Sequence, residues 1–541
     1  MERTGVHRDQ AEGLEALRAA AEILEELPLS ESLDLNLGTL DRLFHGSSDW
    51  VCRSFRIAGG RKAAIAYLDG LLDSARLDDS VLRPLLYEAF PIRTHVAGGE
   101  EVGRILEQHA VALSHVKKVT TVSELADGIL HGDAALLVDG ESSGTLLNAR
   151  AFEHRSVDEP ESESVIRGPH EGFVESLNTN TALLRRRIRT PQLKLDRSRV
   201  GHLSRTDVVI AYVRGVAPET LVREVQRRVS GIRIDGVIDS AYIEELIEDY
   251  PYSPFPQALV TERPDAVAGN LLEGRVAILV DGSPFALVVP TTLFGLMQAS
   301  EDYYERFYVG TALRALRYLF AFLALLLPSL YVAITTFHQE MIPTALLLTL
   351  AATREGIPFP SIVEVLMMEV SFEALREAGI RLPKPIGQAV TIVGALVIGQ
   401  ASVQAGIVSA PVVIIVALTG IASFTFPRFN LGITIRLIRF PMIFLAATLG
   451  LYGIILGLLG ILVHLCRLRS FGIPYLSPVT PLTTGDLADA ALRVPIWLRG
   501  LRPRLVGHAN PRRQPERARA PRGPYEDDQV PRDDGAGRAE G

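Results

Sequence analysis

Four glutamates, Glu364, Glu369, Glu373 and Glu377, stand in the stretch PFPSIVEVLMMEVSFEALREAGIRLP, residues 358–383, with long apolar runs on either side. A carboxylate can pair with a guanidinium, carry a proton or attract a cation. It costs several kcal/mol when it meets hydrocarbon without water or a partner. Pro360 suits a helix start and Gly379 a helix stop. At about 100° per residue from Glu364, Ile362 falls near ~160°, Leu366 near ~200°, Glu369 near ~140°, Glu373 near ~180° and Glu377 near ~220°. One face of the predicted helix therefore carries Ile362, Leu366, Glu369, Glu373 and Glu377, while Glu364 points away. Repeated around a ring of subunits, that face would stack an apolar constriction above rings of carboxylates. Pores use these two devices to gate by dewetting and to gather cations. The plainer alternative is a helix at the headgroups, with Glu373–Arg376 and Glu377–Arg381 as ordinary i,i+3 and i,i+4 pairs.

Few other residues are arranged for chemistry. Pro328 lies mid-run in LALLLPSLYV, where it removes a backbone hydrogen bond and is expected to kink a helix that bears on gating. The chain has no G-x-x-x-x-G-K-[ST], no G-x-G-x-x-G after a strand and no H-E-x-x-H, so neither an enzyme nor a cofactor site is expected. His338 and Glu340 follow an apolar run and read as interfacial rather than metal-binding. Cys52 and Cys466 are the only cysteines, which excludes a disulfide framework and a thiolate zinc site. With a net charge of −8, no domain-wide excess of Lys and Arg supports nucleic-acid binding.

The elements that must position the glutamates are membrane helices. Four runs approach the ~20 residues that cross a bilayer: Leu316–Phe337, with one charged residue at its start, and the uncharged Ile386–Val408, Ser409–Pro427 and Phe440–Leu465. GIILG at Gly453–Gly457 is a small-xxx-small pattern that lets helices approach closely. Arg306 and Arg314 before the first run and Arg317 at its start place the preceding half on the cytoplasmic side. The Arg-rich stretch after the last run prefers the same side, which calls for an even number of crossings. Four spans are favoured. A rival count adds Met341–Ala352 as a fifth and suits Arg428, Arg436 and Arg439 better.

The half before the membrane repeats itself. KAAIAYLDGLLD at Lys62–Asp73 matches DVVIAYVRGVAP at Asp207–Pro218, and DAALLVDGESSGTLL at Asp133–Leu147 matches RVAILVDGSPFALVV at Arg275–Val289. Order and spacing are both kept. In each second match, two β-rich runs flank Asp-Gly, a hairpin turn that tolerates positive φ. The fold class expected is a duplicated α/β soluble N-terminal region followed by an α-helical polytopic membrane domain. Its parts are 1–150, a first α/β subdomain with an acidic amphipathic helix in EGLEALRAAAEILEEL; 151–190, a charged connector; and 191–290, a second subdomain. A transmembrane domain at 291–480 holds four to five spans, and 481–541 forms a disordered Arg/Pro-rich tail.

Several long strings carry a family resemblance. PFPQALVTERPDAVAGNLLEGRVAILVDGSPFALVVPTTL, EDYYERF, TTFHQEMIPTALL, the glutamate stretch with its flanks, and LRSFGIPYLSP resemble the A subunits of the GerA family of spore germinant receptors. EPESESVIRGPHEGFVESLNTNTALLRRRIR is similar to the family's connector. The resemblance runs from about residue 35 to 485. It implies a multi-pass protein of the spore inner membrane, with its soluble region facing the spore core. It further implies a transporter-like B subunit and a lipoprotein C subunit as partners, contact with membrane lipid, and a homo-oligomeric ring conducting monovalent cations. An accessory ion-release amplifier of the same family is the nearest alternative.

Three functional classes follow. A receptor subunit forming a nutrient-gated channel explains acidic residues among the spans. A secondary transporter would show repeated halves within the membrane region, whereas the repeat here is in the soluble half. A purely structural anchor gives no reason for the carboxylates.

Overall fold

The computed structural model describes residues 27–57, 60–87, 116–149, 159–160, 162–382, 384–507 and 510–513. The acidic helix expected near the N-terminus and the tail beyond residue 513 lie outside these residues.

Each α/β unit begins with a helix and builds a five-stranded antiparallel sheet. The first has α1 (Leu33–Phe44), β1 (Trp50–Arg56), β2 (Lys62–Leu68), β3 (Val116–Val119), α2 (Val122–Leu130), β4 (Ala134–Val138) and β5 (Gly144–Leu147). The second has α3 (Leu177–Arg187), β6 (Leu193–Val200), β7 (Thr206–Val213), α4 (Glu219–Gly231), α5 (Ser240–Ile247), β8 (Leu259–Thr261), α6 (Pro264–Leu272), β9 (Val276–Val280) and β10 (Ala286–Val289). The strand orders, β1-β2-β4-β5-β3 and β6-β7-β9-β10-β8, are the same topology twice.

Local chemistry repeats with the topology. Asn36 brackets the entry to α1, accepting from Ser30 N–H at 2.9 Å and donating to Ser30 O at 2.6 Å. Asn180 does the same for α3 with Val174, at 2.8 and 2.6 Å. The first N–H of each helix reaches the aspartate of an Asp-Gly turn: Leu33 to Asp139 at 3.2 Å, Leu177 to Asp281 at 3.3 Å. The turn glycines, Gly140 and Gly282, hold φ of 86° and 83°, which side chains with a Cβ rarely adopt. Thr121 caps α2 by accepting from Glu124 N–H, half of a capping box.

Alternation along the strands feeds two apolar layers per sheet. Ala64, Ala66 and Leu68 face Leu40, Phe44 and Leu125, while Ala63, Ile65 and Leu136 face Leu77 and Val81. In the second unit, one layer contains Leu184, Val267 and Leu271, and the other Val225, Val229 and Ile243. Between the units, Arg185 grips Asp49 with two nitrogens at 2.7 and 2.9 Å, both side chains buried. The connector is therefore shorter than expected. Residues 177–187 are the second unit's counterpart of α1, a role that their basic composition conceals.

The helical region follows: α7 (Phe307–Phe337), α8 (Thr344–Arg354), α9 (Ser361–Arg381), α10 (Lys384–Gln404), α11 (Ala410–Ser423) and α12 (Phe429–Arg467). By length and composition α7 and α12 could each cross a bilayer. Leu319, Phe322, Leu437, Phe444, Ile455 and Leu459 are exposed along them, an apolar surface suited to lipid.

The run Phe440–Leu465 is not one straight span. Gly450, at φ 60° and ψ −141°, breaks α12 into legs 429–449 and 451–467. The legs fold back on each other. A Cβ at Gly453 would overlap the Leu445 carbonyl, and one at Gly457 would overlap Met442 Sδ. The small-xxx-small pattern thus closes a helical hairpin within this chain. Its tip touches Phe337 and His338 at the far end of α7.

Both legs return to the second α/β unit. Thr434 donates to Pro254 O, and His464 meets Ser253 Oγ at 2.9 Å. Leu431, Leu465, Leu468 and Tyr475 complete an apolar layer of that unit. The expected tail does not begin at residue 481 either. Residues 481–507 and 510–513 form a strap with a helix α13 (Thr484–Ala491) and a 3₁₀ turn (Ile496–Leu498). Its arginines find fixed acceptors: Arg493 on Asp302 O at 3.0 Å, Arg502 on Leu272 O at 2.7 Å. Arginine-rich composition reads as disorder only until such acceptors are supplied by the fold.

Candidate functional site

The glutamates of α9 sit on a ladder of ion pairs. Glu364, fully buried, accepts from Ser409 N–H at 2.8 Å and Ser409 Oγ at 2.7 Å, and pairs with Arg354 at 3.2 Å. Glu369, also buried, pairs with Arg439 at 2.6 Å and faces Thr419 Oγ1 at 3.4 Å. Glu373 pairs with Arg436 at 2.6 Å and with Arg376 at 3.7 Å. Glu377, exposed, pairs with Arg381 at 2.7 Å. Arg376 donates to Ser423 Oγ at 2.6 Å and lies over the Phe424 ring at 4.6 Å.

Helical spacing explains the ladder. Glu369 and Glu373 are four residues apart on α9, and Arg436 and Arg439 three apart on the first leg of α12, so each pair shares one face. The two segments run antiparallel, which sets 369 against 439 and 373 against 436. Such pairing offsets much of the cost of placing charge among apolar helices, and removing one partner leaves a costly lone charge.

The five candidates on the predicted face are therefore divided. Ile362 and Leu366 are half-buried against an apolar cluster formed by Tyr331, Val365, Val412 and Ile443. Glu369 turns into the subunit. Glu373 is half-buried and Glu377 is open, beside exposed Val370 and Ala374. Both intrahelical pairs foreseen, Glu373–Arg376 and Glu377–Arg381, are present.

Sequence reasoning missed the arginine partners because it used Arg436 and Arg439 to count crossings. Their i,i+3 spacing opposite an i,i+4 glutamate pair was the available signal. Arg314 and Arg317, likewise read as orientation signals, converge on the buried Asp302 at 3.3 and 2.7 Å, tying the base of α7 to the helix Glu301–Tyr304. Pro328 is buried in mid-α7, where the Ala324 carbonyl loses its usual N–H partner. Among the described residues no group of His, Cys, Asp and Glu could hold a metal ion.

Comparison with known proteins places this architecture. Residues 38–505 match the family described as the Bacillus/Clostridium GerA spore germination protein. The chain is 49% identical to the uncharacterized membrane protein YfkQ of Bacillus subtilis, over 90% of this chain and 93% of that one. It is 45% identical to the spore germination protein KA of Bacillus subtilis, over 90% and 89%. The crystal structure of the N-terminal domain of the A subunit of the Bacillus megaterium spore germinant receptor GerK3 aligns at 33% identity. That alignment has a TM-score of 0.39 and covers 48% of this chain and 95% of that domain. This chain, a membrane protein with a duplicated α/β region and two long apolar helices, belongs to the GerA family of spore germination proteins, as an A subunit of a germinant receptor.

Proposed function

We propose that this A subunit forms a homo-oligomeric ring in the spore inner membrane, and that the ring conducts monovalent cations when nutrient is sensed with a transporter-like B subunit and a lipoprotein C subunit. The soluble units share a side of the membrane with the strap, as both legs of the α12 hairpin meet the second unit, and the arginines at the start of α7 favour the spore core for that side. The observation that carries the reading is the carboxylate ladder of α9, since ionisable groups among membrane helices mark ion and proton paths and buried ion pairs are weak evidence of stabilisation.

In this reading α9 lines the path. Ile362 and Leu366 form the constriction, and Glu373 and Glu377 offer carboxylates to passing cations. Glu369 and Glu373 are neutralised by Arg439 and Arg436 at rest. Movement of α9 against the first leg of α12 frees them, raising the local cation concentration as the constriction widens. Pro328 supplies compliance in α7, which packs on both.

The test is ion flux in liposomes holding the A subunit with and without its partners. Leu366→Ala is expected to leak cations without nutrient, and Glu369→Gln with Glu373→Gln to lower flux while assembly persists. Wild-type flux from both assembled variants would take α9 out of the path.

A further inference from the structure

Away from the helical ladder, a cavity of about 240 Å³ opens between the second α/β unit, the helix Glu301–Tyr304 and the strap. A second cavity of about 430 Å³ adjoins it and shares Glu273, Arg275, Gln298 and Arg499. The charges around them do not balance. Glu273 alone serves three guanidinium groups: Arg499 at 3.2 Å, Arg513 at 3.4 Å and Arg275 at 3.9 Å. Arg499 also holds Asp489 at 2.5 Å. The other charged residues lining the first cavity are matched elsewhere, Asp265 with Arg263 and Arg428 with Glu163.

The surplus charge falls on Arg275. Its side chain is only 10% exposed, its Nε has no hydrogen-bond partner, and Glu273 at 3.9 Å is its one ion pair among the described residues. A guanidinium so nearly buried and so loosely held is costly unless an anion reaches it. Its two terminal nitrogens lie beside Gly295, where even a Cβ would stand 3.4 and 3.6 Å from them. The guanidinium thus packs beside the Gly295 backbone, and its planar fork is the group that binds oxyanions in a bidentate manner.

We infer that this cavity is a binding site for a phosphate-type oxyanion, gripped by Arg275 with Arg499 and Arg513. The anion is free phosphate or the headgroup of an acidic phospholipid, since the same fork serves both. Binding would also fasten the strap. Asp489 O, on the strap, accepts from Arg314 at the base of α7 and from Gln298 Nε2 at 3.1 Å. An occupied site therefore braces the strap against both the soluble unit and the first long helix.

The chain supplies its own reporter. It has two tryptophans, Trp50 and Trp497, and Trp497 stands between Ile496 and Leu498, which line the two cavities. Trp50→Phe keeps the ring that stacks on Phe44 and leaves Trp497 as the sole emitter. The full-length Trp50→Phe protein in detergent is titrated with inorganic phosphate at constant ionic strength, and in parallel with monomeric short-chain phosphatidic acid. A saturable change in Trp497 emission with a rise in melting temperature is expected. Arg275→Gln should weaken it about tenfold or more, and Arg275→Lys less. Arg513→Gln, at a partly exposed position suited to folding, should weaken it severalfold. A response to the lipid alone assigns the site to a headgroup, and a response to phosphate alone to the free ion. No saturable response to either, or equal midpoints in the parent and in Arg513→Gln and Arg275→Gln, overturns the site.

Discussion

Lys194 shows how a single side chain can oppose the fold that buries it. Its Nζ donates to Leu43 O at 3.1 Å across the junction of the two α/β units. Burial, with Arg214 and Arg185 nearby, lowers its pKa to about 8, and Asp49 and Asp196 only partly offset that. The folded chain therefore binds fewer protons here than the unfolded chain between pH ~8 and ~10.5. Stability contributed by this group rises with pH across that window, and below it the charged form carries its full burial cost. Lys194→Met should raise the melting temperature at pH 7 by a few degrees and flatten the rise above pH 8. Thermal melts of the two proteins across pH 7–10 check both. The ladder obeys the opposite rule. Arg439→Gln leaves Glu369 buried beside apolar helices and should cost about 3 kcal/mol or more, most of it recovered by adding Glu369→Gln. A double-mutant cycle on unfolding in detergent measures that recovery. Glu369 was legible in the sequence but its partner was not, because residues seventy positions apart share no local pattern beyond the matching i,i+4 and i,i+3 spacings of the two helices.

At the scale of elements, the sequence revealed most where chemistry repeats and least where composition is uniform. The two hairpins announced themselves through Asp-Gly, since only a turn of positive φ joins strands so tightly. The helices α1 and α3 escaped comparison because one is acidic and the other basic, although Asn36 and Asn180 hold the same place. Inside Phe440–Leu465 every residue is compatible with lipid, so hydropathy had no means of marking the reversal at Gly450. Glycine at 450, 453 and 457 was the only trace. Gly453→Ala should lower stability on the order of 2 kcal/mol, because its methyl meets the Leu445 carbonyl in a packed seam. Gly460→Ala, with open space around the glycine, should be neutral or slightly stabilising by helix propensity. Comparing their unfolding midpoints in detergent separates a hairpin from a straight helix, in which both would behave alike.

The whole molecule is less divisible than its sequence suggests. Composition changes sharply near residue 310, and that break invites a cut between soluble and membrane halves. The second unit ignores the cut: Leu431, Leu465, Leu468 and Tyr475, all from beyond the cut, finish its apolar layer. A fragment ending before Tyr303 is expected to be monodisperse, with mixed α/β circular dichroism from two complete sheets. It should nonetheless melt lower than the same units in the full chain and bind a dye that reports exposed apolar surface. Equal melting temperatures would show that the membrane helices lend that unit nothing. The strap was misread for a related reason, since arginines and prolines acquire fixed places only through acceptors contributed by distant elements.

The attachment of the α12 hairpin limits how it can move. One leg is tied through Thr434 to Pro254, the other through His464 to Ser253, so two neighbouring residues of one loop hold both feet. Held at these two adjacent points and, through Arg436 and Arg439, to Glu373 and Glu369 of α9, the hairpin cannot slide along its length without dragging both the loop and the ladder. A rotation of the second α/β unit would therefore be passed through the hairpin to α9 as well as to Gly450 and the end of α7.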